Sequence, residues 1–347
     1  MVKLGILPVV ASVFLGCVGG GPSTRGAMDT GIVATPPDAE APDLIPVKDT
    51  VGPAKDTVVF SPLSTYLTLD LGGARMVVDV EKGARITELS IAGVNVLSGP
   101  GINSQNFGST FWPSPQSLWG WPPLKPFDTD PYTGIMDPLT GGIRLDSEPA
   151  ALPMVEGYPK LRLSKTFLPL PEKNAVDVTY GIANVSTNGA PAVTTAPWQV
   201  TRVRGVGGLT FLAKGSGRVK AAEGLRLVES AGLLWFPFVP ASGDAKTFAD
   251  AQGWVAHVTA DRLLLVLRFE DIAASDSPSG DAELELYTGL ASTVGDYLEL
   301  EPQGKQKILA AGGTLTWTVR FLLRTLPAHI TPTVGDPALI AFVDTVR

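Results

Sequence analysis

Short runs of alternating apolar and polar residues recur along the chain from residue 66 onward, separated by Gly, Pro, Asn or Asp. Alternation with a period of two is typical of strands with one buried face. Turn residues at this spacing favour antiparallel sandwiches and barrels. The predicted strands include residues 66–71, 76–80, 85–91, 176–182, 254–258, 263–269, 282–287 and 315–321.

Two segments depart from this alternation. Residues 263–267 are apolar throughout, which predicts a strand buried on both faces. Helical periodicity is clear only in residues 337–346, so we predict a short terminal helix there. No repeat of fixed period is visible, which disfavours a propeller or a solenoid. The pattern therefore predicts an all-β fold.

The first 17 residues have the pattern of a secretory signal peptide. Lys3 precedes an apolar stretch, residues 4–15, that is too short to span a bilayer. Residues 14–17, Phe-Leu-Gly-Cys, resemble the bacterial lipobox, with Phe where Leu is commoner. Cys17 is the only cysteine of the chain, so we expect it to be lipidated and to anchor the protein in the bacterial cell envelope. A free cysteine in a merely secreted protein is the alternative.

Residues 18–57 are rich in Gly, Pro, Ala and acidic residues and show no sustained periodicity. This composition predicts a disordered tether between the membrane and the folded part. Residues 58–347 are enough for one large domain with a well-buried core. We expect a single domain and a monomer.

Charge and motifs exclude several function classes. The formal net charge is −7, and no Lys/Arg cluster suited to phosphates is visible, so we expect no nucleic-acid partner. No Cys/His cluster, zinc spacing or nucleotide-binding loop is present, so we expect no metal and no cofactor. Asp271, Asp276 and Asp281 suit either a calcium-binding loop or a solvated turn.

The segment from residue 111 to residue 127 combines aromatic residues with prolines and carries few charges. Proline fixes φ and lacks an N–H group, so we predict a rigid loop, neither strand nor helix. Flat rings beside an amide suit the C–H faces and hydroxyls of a sugar. A lid packed over one end of the core is the alternative. The rings and the amide are Phe111, Trp112, Gln116, Trp119, Trp121 and Phe127.

Residues 78–89 with 92–97 resemble the opening hairpin of galactose mutarotase-like proteins. Four further segments are similar to a bacterial domain family of unknown function, numbered 4380, that is usually placed in the same superfamily. These are residues 111–116, 121–123, 196–202 and 297–304. The resemblance covers residues 66–326. It implies a large antiparallel two-sheet β-sandwich, the mutarotase-like supersandwich, with a sugar-sized cleft on a concave face.

Opening a sugar ring needs a base for the anomeric hydroxyl and an acid for the ring oxygen, which in mutarotases are a Glu and a His. Glu301 lies in a Glu-Pro-Gln segment that resembles the one carrying the mutarotase base, so the resemblance makes it the predicted base. Glu299 lies two residues earlier, so an extended strand places both carboxylates on one face. The alternative is the solvent-facing side of an edge strand.

The acid has no counterpart in this chain. His257 and His329 are its only histidines, and neither lies where the resemblance expects one; Trp198 occupies that position. We predict that His257 is a packed or solvent-facing strand residue and that His329 lies at the surface. An arginine stays charged, so it can polarise an oxygen but cannot donate a proton.

Three functions remain open. The first is a carbohydrate-binding domain of an envelope lipoprotein. The second is an epimerase-like enzyme with Glu301 as base and Arg85 or Arg202 stabilising negative charge. The third is a non-catalytic lipoprotein whose aromatic segment docks a protein. A second titratable group within reach of Glu301 would favour the enzyme. Predicted sugar contacts are Arg85, Asn106, Trp112, Gln116, Trp119, Trp121, Trp198, Gln199, Arg202 and Glu301.

Overall fold

The computed structural model describes residues 59–60, 65–137, 140–215, 220–221, 225–239, 245–288 and 297–347. The predicted signal peptide with Cys17 and the predicted tether, residues 18–57, lie outside these ranges. Among the described residues, no helix has the length and apolar character needed to cross a membrane.

Strands are the main regular element of the described residues, which also include two α-helices, α1 (Lys125–Asp128) and α2 (Pro337–Val346). The strands are β1 (Val59–Phe60), β2 (Tyr66–Asp70), β3 (Arg75–Asp79), β4 (Arg85–Ile91), β5 (Val94–Asn95), β6 (Ser109–Ser114), β7 (Thr133–Met136), β8 (Ile143–Asp146), β9 (Ala150–Ala151), β10 (Lys160–Leu170), β11 (Ala175–Asn184), β12 (Val193–Arg204), β13 (Leu209–Ala213), β14 (Lys220–Ala221), β15 (Val228–Ser230), β16 (Leu233–Pro237), β17 (Ala245–Ala249), β18 (Trp254–Val258), β19 (Leu263–Arg268), β20 (Leu284–Thr288), β21 (Tyr297–Pro302), β22 (Lys307–Leu309) and β23 (Thr314–Thr325).

These strands build two large antiparallel sheets. The first has the order β1-β7-β8-β10-β11-β23-β19-β18-β13-β16-β15, with β9 beside β10. The second has the order β14-β17-β20-β21-β12-β6-β4-β3-β2, with β22 beside β12 and β5 beside β4. The sheets pack face to face, and Phe111 of the second stacks on Tyr180 of the first with ring centroids 4.5 Å apart. The predicted all-β, two-sheet architecture is confirmed.

The wholly apolar strand β19 is buried on both faces, as predicted. Leu265 and Leu267 belong to the core between the sheets. Leu264 and Val266 face the opposite side and join a second apolar cluster with residues of α2. The helix begins at the predicted residue, where Asp336 accepts a hydrogen bond from the Leu339 N–H at 2.7 Å and caps it. Because residues 263–267 of β19 pack against apolar residues on both faces, neither face of this run carries polar residues and its sequence does not alternate.

The prediction that the aromatic segment forms neither strand nor helix was wrong for residues 111–114, which belong to β6, and for residues 125–127, which belong to α1. Pro113 lies directly opposite Pro197 of β12. The Pro113 carbonyl accepts from the Trp119 indole at 2.8 Å, and the Pro197 carbonyl accepts from the Gly304 N–H at 2.9 Å. Both carbonyls therefore point away from the ladder between β6 and β12. The proline nitrogens, which carry no hydrogen, point away from it as well. This non-hydrogen-bonded pair accommodates two prolines without losing a ladder bond.

Candidate functional site

A cavity of about 360 Å³ lies on the face of the second sheet that points away from the first sheet. Trp112 and Trp198 are directly opposite each other on β6 and β12 and both line it. Their neighbours Phe111 and Gln199 therefore face the core. The lining residues are Asn106, Trp112, Gln116, Trp121, Trp198, Arg202, Lys246, Tyr287, Glu299 and Glu301.

Three tryptophans form one wall of the cavity. The Trp112 ring lies 5.5 Å from the Trp198 ring and 6.2 Å from the Trp121 ring, both edge to face. The Trp112 indole donates a hydrogen bond to Asp128 at 3.2 Å, which fixes its orientation. Trp121 is 58% exposed and forms the rim, where Gln116 is also exposed.

The charged floor follows from strand pairing. Lys246, Tyr287, Glu299 and Arg202 are successive cross-strand partners on β17, β20, β21 and β12. Directly paired residues share a face, so this row lies on the cavity side of the sheet. A step of two residues along β21 adds Glu301 to the same face.

β21 is an internal strand between β20 and β12, so its two glutamates do not lie at a sheet edge. Both glutamates are buried, and Leu298 and Leu300 on the other face are fully buried in the core. The sheet therefore holds both carboxylates inside the cavity.

Arg202 holds one of these carboxylates. Its Nε lies 2.7 Å from the Glu299 carboxylate, and a second guanidinium nitrogen donates to Thr110 at 3.1 Å. The guanidinium also lies over the Trp112 ring, 5.4 Å from its centroid. Arg202 is 1% exposed, so these contacts orient it.

Lys246 is a site residue that the sequence analysis missed. Its ammonium contacts Glu285 closely and lies 3.1 Å from the Glu301 carboxylate. The Trp198 indole donates to the same Glu301 oxygen at 3.1 Å. The other Glu301 oxygen is buried and has no hydrogen-bond donor among the described residues.

Burial raises the pKa of Glu301 to about 7, against the lowering effect of Lys246. Burial likewise raises the pKa of Glu299 to about 7, although Arg202 opposes the shift. Burial alone would lower the pKa of Lys246, but Glu301 and Glu285 together raise this pKa above the ordinary value. The cavity thus contains two carboxyls whose pKa values are raised by burial, beside the basic side chains of Arg202 and Lys246.

The sequence matches no family model and no curated protein. The structure is similar to a galactose mutarotase-like protein from Lactobacillus casei, with a TM-score of 0.52, 10% identity, and coverage of 75% of this chain and 100% of that chain. It is also similar to a TPR-domain containing protein from Parabacteroides distasonis, with a TM-score of 0.52, 12% identity, and coverage of 81% of this chain and 51% of that chain. The fold is that of the galactose mutarotase-like proteins. Membership of family 4380 stays a prediction.

Three predicted contact residues do not line the cavity. Trp119 is 3% exposed and lies behind Trp112, with ring centroids 6.0 Å apart. Gln199 faces the core and donates to Ser109 at 2.8 Å. Arg85 is buried and pairs with Asp128 at 2.9 Å, so it reaches the cavity through the Asp128 contact to Trp112.

Neither His257 nor His329 lines the cavity. His257 is fully buried in β18, where its ring contacts Thr210 at 2.8 Å and the Arg204 carbonyl at 3.1 Å. Burial lowers the pKa of His257 to about 4. His329 is exposed, as predicted. The mutarotase-like fold is therefore present here without a histidine in the cavity.

The three aspartates considered for calcium are separated in the structure. Asp276 pairs with Lys305 at 2.7 Å, and Asp281 accepts from Ser114 at 2.8 Å. Asp271 lies instead with Asp250 and Glu283, with one carboxylate oxygen of each within 4.8 Å of the others. Both Glu283 oxygens accept backbone N–H groups, at 2.7 and 3.0 Å, so this group has an internal structural role.

Proposed function

We propose that this domain binds a carbohydrate in the cavity on its second sheet. One observation carries the proposal: a wall of three tryptophans faces a floor of buried charged groups across a space of about 360 Å³. Sugars present apolar C–H faces and hydroxyl edges, and this cavity offers aromatic surface for the first and charge-assisted hydrogen bonds for the second. The volume is at the lower end of the range for small-molecule sites, about 300 to 1,000 Å³.

The proposed ligand contacts are divided between floor and rim. Trp112 and Trp198 line the cavity beside Arg202 and Glu301, with 3% and 7% of their surface exposed. Trp121 extends the aromatic wall towards solvent. The Lactobacillus casei protein of the same fold is described as galactose mutarotase-like, which supports a sugar as the ligand class.

Trp121→Ala tests this function because the ring is 58% exposed and its removal leaves the core intact. We expect the wild-type protein to bind sugars on a glycan array and Trp121→Ala to lose that binding. Tyr66→Ala, another exposed aromatic at 52%, lies outside the cavity and is the matched control. Unchanged binding by Trp121→Ala would remove the aromatic rim from the site. If wild type bound no glycan on the array, the protein-docking alternative would be favoured.

A second candidate is an epimerase-like enzyme with Glu301 as its base. It is favoured by the titratable groups within reach of Glu301, namely Lys246 at 3.1 Å and Glu299 on the same strand face. One-dimensional NMR of anomeric exchange separates the two functions. Exchange that is accelerated by wild type and lost in Glu301→Gln would indicate turnover. Binding without faster exchange would indicate a binding domain.

We propose further that the domain is tethered to the cell envelope through lipidated Cys17, by way of residues 18–57. The lipobox-like sequence and the single cysteine support this. Wild type should sediment with membranes, and Cys17→Ser should be released into the soluble fraction. Membrane attachment of Cys17→Ser would contradict the anchor.

A further inference from the structure

Arg85 lies behind the cavity, at the start of β4, and is 2% exposed. One terminal nitrogen of its guanidinium donates to the Gln105 carbonyl at 2.8 Å and to the Phe107 carbonyl at 3.4 Å. The other terminal nitrogen donates to the Asp128 carboxylate at 2.9 Å. The guanidinium also lies over the Phe107 ring, 4.6 Å from its centroid. One buried side chain therefore joins the segment before β6 to helix α1, which follows β6.

The segment before β6 carries a cavity residue between the two bonded carbonyls. Gln105 and Phe107 flank Asn106, which lines the cavity. Residues 99–107 belong to no strand, so no ladder of hydrogen bonds from a neighbouring strand fixes their backbone. Arg85 holds the carbonyls on both sides of Asn106 and thereby fixes the backbone from which the Asn106 side chain projects.

The Asp128 carboxylate connects Arg85 to the aromatic wall of the cavity. One carboxylate oxygen accepts from Arg85, and the other accepts from the Trp112 indole at 3.2 Å. The Trp112 ring lies 5.5 Å from the Trp198 ring and 6.2 Å from the Trp121 ring, between centroids. The orientation of Trp112 therefore also affects the two rings that pack against it.

The turn that precedes Arg85 is itself held in place. Lys165 is 1% exposed and donates to the Gly83 carbonyl at 2.7 Å and to the Ala84 carbonyl at 2.9 Å. Gly83 has a φ of 61° and packs so closely on α1 that a Cβ there would lie 2.4 Å from the Asp128 carbonyl oxygen. The turn, Arg85 and α1 therefore form one packed unit behind the cavity.

We propose that Arg85 is a positioning residue, which holds Asn106 and Trp112 in place for a bound sugar without touching the sugar itself. The proposal rests on the proposed binding of a carbohydrate in the cavity. The guanidinium suits this role because its planar fork of donors reaches three acceptors at once, whereas the ammonium of a lysine is a single point on a flexible stem. Binding residues that are not held in advance must be ordered when the ligand binds, and this weakens binding.

Arg85→Lys tests the role because it keeps a positive charge beside Asp128 and removes the fork. Binding is measured by calorimetry with D-glucose, D-galactose, D-mannose and any array glycan that wild type binds. We expect Arg85→Lys to bind about 10-fold or more weakly than wild type, since a displacement of about 1 Å in a site can cost this much. Arg320→Lys is the matched control. Arg320 forms a two-pronged pair with Asp177, at 2.6 and 2.7 Å, on the first sheet and outside the cavity, so its variant should bind as wild type does.

A purely stabilising role would not couple Arg85 to the residue that it positions. Asn106→Ala is therefore combined with Arg85→Lys, and the affinities of wild type, both single variants and the double variant are compared. If Arg85 acts through Asn106, the affinity loss of the double variant should be smaller than the product of the two single losses. A loss equal to that product would show that the two residues act independently and would overturn the positioning role.

The outcomes separate this proposal from the function on which it rests. A loss in Arg85→Lys that is smaller than expected would overturn the positioning role and leave the binding function standing. Absence of wild-type binding to the three sugars and to the glycan array would overturn both. If Arg85→Lys does not fold, hydrogen exchange in wild type decides. The Trp112 indole N–H should then exchange at least about 10-fold more slowly than that of the exposed Trp121, and equal rates would overturn the positioning role.

Discussion

Glu301→Gln should change how the stability of the domain depends on pH. Glu301 is 1% exposed, and burial raises the pKa of its carboxyl from the usual 4.5 to about 7. A carboxyl with a higher pKa in the folded state binds its proton more tightly there. Its contribution to the free energy of unfolding is therefore fully present below pH 4.5 and is lost as the pH rises through 7.

The expected size follows from the shift. The difference between 4.5 and about 7, at about 1.4 kcal/mol per pKa unit, corresponds to about 3 kcal/mol. Urea unfolding of wild type and Glu301→Gln at pH values from 4 to 8 measures it. Glutamine does not titrate, so the stability of wild type relative to the variant should fall by about 3 kcal/mol over this range.

The comparison of two proteins removes the groups that titrate in the same range without contacting Glu301. Glu148→Gln, at an exposed glutamate, controls for the loss of one carboxylate. A stability difference between wild type and Glu301→Gln that stays constant from pH 4 to pH 8 would refute the inference that burial raises the pKa of Glu301. If the stability of wild type relative to Glu301→Gln rose with pH instead, Lys246 would dominate and lower the pKa of Glu301.

Two further substitutions test the groups behind the cavity. Burial lowers the pKa of Lys165 from 10.5 to about 7, so its contribution to stability should rise as the pH rises from 7 towards 10. Urea unfolding should then show wild type gaining stability relative to Lys165→Met over that range, and parallel pH profiles would contradict this. Asp128→Ala leaves Arg85 buried without its partner and should lower the free energy of unfolding by about 3 to 5 kcal/mol, measured in urea; a loss below about 1 kcal/mol would show that the pair is not needed.

Much of the fold could be predicted from the sequence because local patterns report on burial. Alternation indicated strands with one buried face, and the apolar run 263–267 indicated a strand covered on both. The terminal helix was visible from its periodicity, with Pro337 at its first position. Each of these signals depends only on which side of one element meets the core.

Features that depend on strand pairing could not be predicted in this way. Proline usually argues against an internal strand, and the sequence does not show that Pro113 lies opposite Pro197 at a pair that needs no N–H. Lys246 belongs to a short strand that looks unremarkable by itself. It becomes a site residue only because β17 lies beside β20, which brings its ammonium to Glu285 and Glu301.

The same strand pairing explains why the floor of the cavity is held more rigidly than its rim. The floor residues lie on adjacent strands inside the sheet, where neighbouring strands fix each side chain within its row. The rim residues Gln116 and Trp121 lie beyond the end of β6, on the segment that leaves the sheet. Rigid elements hold reacting groups more accurately than loops do, whereas loops accept changes in sequence more easily. On the proposed carbohydrate function, substitutions at the rim should therefore alter which sugar is bound, and substitutions on the floor should alter how tightly it is bound or, for the epimerase-like candidate, whether it reacts.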